Sequence, residues 1–163
     1  MKRLLTLLVV ITAGFSIARA DYLEDQMNNL VNQNVVSEIY VSKAMLKMLP
    51  PGIQNRIPML NKLDGLTAVT VLTAADKVAV QKCQKVLSNS LNNAITTTGL
   101  GKLLEIKDSN EYSAVFGTTK SDDTKDYSRI VVYTETGDNG QVVILNGTIT
   151  PEVLEQIAQS ILK

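Results

Sequence analysis

"KLLEIKDSNEYSAVFGTTKSDDTKDYSRIVVYTETGDNGQVVILNGTI", residues 102–149, decides the fold. Four runs in it, 102–108, 111–119, 127–136 and 141–149, are strand candidates in close succession. Between them lie "SN", "KSDDTKD" and "GDNG", successive groups of turn-forming polar residues. The two-residue and four-residue links suit antiparallel hairpins. This half of the chain therefore predicts a meander of antiparallel sheet.

Outward from that sheet, the patterning changes to helical. "TPEVLEQIAQSILK" (150–163) has Thr150 to cap, Pro151 at the first helical position and Glu152 at the positive end of the dipole. Its apolar stripe is Val153, Leu154, Ile157, Ala158, Ile161 and Leu162. Upstream, residues 74–95 form the strongest helical pattern, with Ala79, Cys83, Val86, Leu87, Ser90 and Leu91 on one face. Thr73 and Asp76 resemble a capping box for it, and Gly99 or Gly101 can end it in the left-handed conformation. Before it, "NKLDGLTAVTVLT" (61–73) sets an Asp64-Gly65 turn ahead of a strand over 66–73. "VVSEIYV" (35–41) reads as another strand, and Ser42 caps two helical turns that "PPG" (50–52) stops. Residues 53–60 read as a connector, and "DYLEDQMNNLVNQN" (21–34) as a short amphipathic helix. Together these elements predict an α+β two-layer sandwich: a largely antiparallel sheet covered on one face by two main helices.

The first twenty residues follow a different logic. "MKR" is a basic start, "LLTLLVVITAGF" an apolar core, and "ARA" places small residues at Ala18 and Ala20, the pattern of a secretory signal peptide. An apolar run this short does not span about 30 Å of hydrocarbon as a helix. Cleavage after Ala20 is expected, leaving a single domain over 21–163, 143 of the 163 residues, with 13 basic and 16 acidic side chains. No transmembrane span is expected after cleavage, and the destination is the periplasm or the exterior. The balanced charge excludes a general polyanion binder, so no nucleic-acid partner is expected. Cys83 is the one cysteine, so no internal disulfide exists and stability must come from core burial.

Several blocks, "IYVSKAMLKMLP", "KLDGLTAVTVLTA", "LLEIKD" and "VVILNGTITPEVLEQIA", resemble the bacterial domain of unknown function 4252, a family of small exported proteins found mainly in Bacteroidetes. The resemblance runs over essentially the whole mature chain. It implies an exported α+β domain and brings no catalytic residue, cofactor or activity. Many members look like lipoproteins, whereas this chain has Ala20-Asp21 where a lipidated cysteine would stand.

The chemistry that the residues permit is narrow. With no histidine, Ser-His-Asp, Cys-His and most zinc arrangements are removed together. Ser42 beside Lys43 lacks the spacing of a Ser-Lys pair and reads as a cap. Asp122, Asp123 and Asp126 are interleaved with lysine and read as a solvated loop rather than a calcium site. "GLGK" (99–102) lacks the strand-then-helix setting of a phosphate loop. Tyr112 and Phe116 share strand parity and should project on one face.

No catalytic, cofactor-binding or metal-binding residue is assigned, and no cofactor is implied. The leading expectation is a non-catalytic binding or structural module of the cell envelope, with a protein, peptide or small-ligand partner. One alternative is a carboxylate-dependent hydrolase of glycan or cell-envelope material using Glu38, Asp64 or Glu105, which lie at or near strand ends. Another is an accessory protein in envelope signalling.

Overall fold

The computed structural model describes residues 22–48, 65–94, 100–119 and 125–161. In chain order these form α1 (Tyr22–Asn32), β1 (Ser37–Ser42), α2 (Lys43–Met48), β2 (Leu66–Ala74) and α3 (Lys77–Ala94). There follow β3 (Leu100–Lys107), β4 (Glu111–Thr119), β5 (Tyr127–Thr136), β6 (Asn139–Ile149) and α4 (Pro151–Ile161). One six-stranded sheet has the order β1-β2-β6-β5-β4-β3, and every neighbouring pair is antiparallel. This is the α+β sandwich that the order of strand and helix patterns points to.

Local chemistry explains the element ends. α1 stops because Asn34 turns left-handed (φ 55°). The amide of Val35 then donates to the Leu30 carbonyl and that of Asn34 to the Val31 carbonyl, which satisfies two of the helix's last acceptors. Ser42 caps α2 through the Met45 amide, 3.4 Å from its hydroxyl. β2 runs one residue past Thr73, so Asp76, not Thr73, caps α3, its Oδ1 accepting from the Ala79 amide at 2.8 Å. Gly101 lies inside β3 opposite Gly117 and is no helix cap, and Gly99 falls outside the described residues. The last hairpin is tighter than the four-residue "GDNG" link: β6 starts at Asn139, paired with Thr136.

Both faces of the sheet are covered, so the two main helices, α3 and α4, do not share one face as their patterning suggested. α1 and α3 share one face, where Met27, Cys83 and Leu87 meet Phe116, Tyr133 and Ile144. α4 packs on the other through Ile157, with Ile130, Val132, Leu145 and Ile149. The physical reason lies in the strands. β5 buries Ile130, Val131, Val132 and Tyr133 in succession, so both parities of the pleat are apolar and both faces need a helix. An amphipathic stripe says that a helix is buried on one side; it does not say which side of a sheet receives it.

Cys83 sits in this core, and burial pushes its thiol up to about 11. A thiol held protonated and out of solvent is a poor nucleophile. The native protein should therefore resist alkylation at neutral pH while the denatured chain reacts at once. Rapid modification of the native form in a thiol-labelling time course would contradict this packing.

Candidate functional site

Six strands spaced about 4.8 Å apart span about 24 Å between their outer axes, whereas two helices side by side cover about 20 Å. The α1–α3 pair therefore leaves both margins of its face partly open. At one margin a cleft of about 460 Å³ lies between α3 and strands β3, β4 and β5. At the other a groove of about 390 Å³ lies between α1 and strands β1, β2 and β6.

The first cleft is built from cross-strand rows. Lys107 of β3 pairs with Tyr112 of β4, which pairs with Glu135 of β5. One row further in, Glu105 pairs with Ala114, and Ala114 with Tyr133. Directly paired residues share a face, so these polar and aromatic groups converge beneath α3. Lys102 joins them because the β3–β4 register shifts between Lys102 and Leu104. The extra residue, Leu103, reverses the parity of everything before it, and residues three apart, Lys102 and Glu105, come to share a face.

The contacts are specific. Lys102 Nζ lies 3.0 Å from Glu105 Oε1, Lys107 Nζ lies 3.4 Å from it, and the Tyr112 hydroxyl donates to the same oxygen at 2.9 Å. The Tyr133 hydroxyl donates to Glu135 Oε2 at 2.9 Å, and Gln84 Nε2 of α3 donates to that oxygen at 2.5 Å. The rings of Tyr112 and Tyr133 lie 5.8 Å apart, tilted by 58°, and Lys107 Nζ sits 5.7 Å from the centre of the Tyr112 ring.

Electrostatics follow from this. Lys102 first, then the Tyr112 hydroxyl, pulls the Glu105 carboxyl down to about 2. Burial, then the bond to Glu105, pushes Tyr112 up to about 12. Burial, then the bond to Glu135, raises Tyr133 as well. Glu105 is therefore a fixed anion at neutral pH, and both phenols are fixed donors. The arrangement presents charge and hydrogen bonds, with an aromatic wall; Glu105 does not carry a proton it could deliver near neutrality.

No family model, curated protein or solved structure matches the chain. Its site is accordingly built from its own geometry.

Of the three carboxylates proposed from sequence, Glu105 enters the cleft. Glu38 lies in the opposite groove, at the far end of the same row: Glu38 pairs with Leu72, Leu72 with Val142, Val142 with Tyr133. Five strand spacings, about 24 Å, separate Glu38 from Glu105. Glycosidase carboxylates work about 5–10 Å apart, so these two do not form a pair. Asp64 lies outside the described residues, as do Asp122 and Asp123. Glu135, the second carboxylate of the cleft, escaped sequence reasoning, since only the register of β4 and β5 brings it beside Tyr112. Tyr112 and Phe116 do line one face, as their parity required. Among the described residues no group of three or more Cys, Asp and Glu side chains is placed to hold a metal ion, and no helix is long and apolar enough to cross a membrane.

Acid sensitivity tests the Glu105 cluster. Its folded value of about 2 lies below the ordinary 4.5, so its stabilising contribution is complete above pH 4.5 and is lost as pH falls toward 2. In a series of melts across that window, Glu105→Gln should flatten the acid limb. An unchanged pH profile in the variant would remove the cluster from the account.

Proposed function

We propose that this chain is an exported, non-catalytic binding module of the cell envelope, and that the cleft under α3 receives a peptide or small polar ligand. The observation that carries the reading is the state of Glu105, an anion already committed to two ammonium groups and a phenol. Such a group orients and attracts; it does not exchange protons at neutral pH. The two tyrosine rings offer a wall on which a sugar face or an apolar side chain can lie, and Lys102 and Lys107 offer cations at the rim. Export rests on the signal-like pattern of residues 1–20, with cleavage after Ala20, and on the sequence resemblance to small exported bacterial proteins.

A second reading survives on one observation: Glu105 and Glu135 line the same cleft. A hydrolase would use them as a pair. The two readings separate in a titration of the purified chain with short peptides and with glycan fragments from the cell envelope, followed by the NMR signals of Tyr112 and Tyr133 and by product analysis. Binding shifts without turnover support the module. Turnover abolished by Glu135→Gln would replace it with the hydrolase.

A further inference from the structure

The two edges of the sheet are treated very differently. β3, one edge, carries Lys102, Glu105 and Lys107 and is interrupted by the Leu103 bulge. Charges and bulges of this kind keep an exposed ladder from pairing with another strand. β1, the other edge among the described residues, pairs with β2 in an unbroken register from Ser37 to Ser42. It has no lysine, proline or bulge, and Glu38 is its sole charge. Ile39 is 64% exposed and Tyr40 62%, while the adjoining α2 exposes Met45 at 53% and Met48 at 76%. Alternation along the strand sends Ile39 and Tyr40 to opposite faces, so the edge is apolar above and below a row of backbone groups that no described strand pairs.

We infer that β1 pairs antiparallel with β1 of a second copy of this chain, joining two sheets about a two-fold axis. A second copy fits because the strand is self-complementary. In an antiparallel pair related by a two-fold, one residue opposes itself on the axis and the others pair symmetrically about it. With Ile39 on the axis, Glu38 faces the partner's Tyr40 and Ser37 the partner's Val41. With Tyr40 on the axis, Ile39 faces the partner's Val41 and Glu38 the partner's Ser42. Either register keeps the carboxylates apart and stacks apolar groups. Only with Glu38 on the axis would like charges meet, which is unfavourable for directly opposed residues. Strand addition supplies directional backbone hydrogen bonds, and the exposed side chains supply area. Five residue pairs bury less than the ~1,600 Å² of a standard stable interface, so the dimer forms reversibly and depends on concentration.

Sedimentation velocity on the chain as its cell processes it should show the mass rising twofold through the micromolar range. Ile39→Lys, at an exposed position, should keep the monomer mass at every concentration and melt as the parent does when dilute enough to be monomeric. Leu103→Lys on the bulged edge should dimerise like the parent. Ile39→Cys or Tyr40→Cys, whichever stands on the axis, should form a covalent dimer under mild oxidation, since buried Cys83 does not compete. A monomer throughout the range would overturn the inference. So would a dimer that Ile39→Lys leaves intact, or the failure of both cysteine variants to cross-link.

Discussion

Gly147→Ala should cost about 3–5 kcal/mol, a large share of the roughly 5–15 kcal/mol that holds a domain of this size together. Gly147 has φ 141°, a conformation that L side chains rarely adopt. A methyl group there would also strike the Gly65 carbonyl oxygen, with Leu66 Cα 2.7 Å and the Thr67 amide nitrogen 2.9 Å away. These are backbone atoms that cannot rotate aside. The crowding is mutual, because a methyl on Gly65 would collide with the Thr148 carbonyl oxygen. The Thr148 amide donates to the Gly65 carbonyl at 2.9 Å, so β2 and β6 meet here through two side-chain-free residues. Urea unfolding measures the cost as a drop in midpoint. Gly101→Ala is the control, since its methyl would find its nearest atom, the Gly117 carbonyl oxygen, at 4.0 Å. Equal effects from the two substitutions would refute the close-approach argument.

Ile157→Ala should be the second severe change, destabilising by about 2–5 kcal/mol. Ile157 is fully buried, the central anchor of α4 against Leu66, Ile130, Leu145 and Ile149. An isolated helix of eleven residues is marginal in water, so α4 depends on this docking for its own persistence. Loss of the side chain should therefore act twice, leaving a cavity against the sheet and releasing the helix from it. Hydrogen exchange should report the second effect as lost protection in α4 amides before those of β5 and β6. A cost below about 1 kcal/mol, with α4 protection intact, would show that this face is held some other way.

Much of this architecture was legible in residue order. The β4 and β5 runs were read with the bounds they have, because their β-branched clusters end abruptly in polar turns. Ser42 caps α2 as read, and Thr150 stands one residue ahead of α4 with Pro151 first in the helix, whereas Thr73 and Gly101, read as caps of α3, belong to strands whose extent the cap pattern does not encode. Opposite-face packing was also visible in principle. "IVVY" and "VVIL" are continuous apolar runs, where a half-covered sheet would alternate.

The cleft was less legible. Parity brought Tyr112 and Phe116 together, but Glu135 joins Tyr112 only through strand register. Lys102 reaches Glu105 only through a bulge that adds one residue, and no periodicity announces a bulge. The Asp64-Gly65 step held a similar surprise. Gly65 opens β2 as a turn residue, yet its lack of a side chain serves contact with a strand about eighty residues away, at Thr148.

The strand order has a bearing on how the chain comes to be folded at all. β6, last of the described strands in chain order, is inserted between β2 and β5 and joins the β1–β2 ladder to the β3–β4–β5 meander. Until it is present, each half is a small sheet with an unpaired inner edge, and the helices above and below have no continuous surface to cover. Pairings of such long sequence separation form late and slowly. The chain thus stays open until β6 is available to bridge the two ladders.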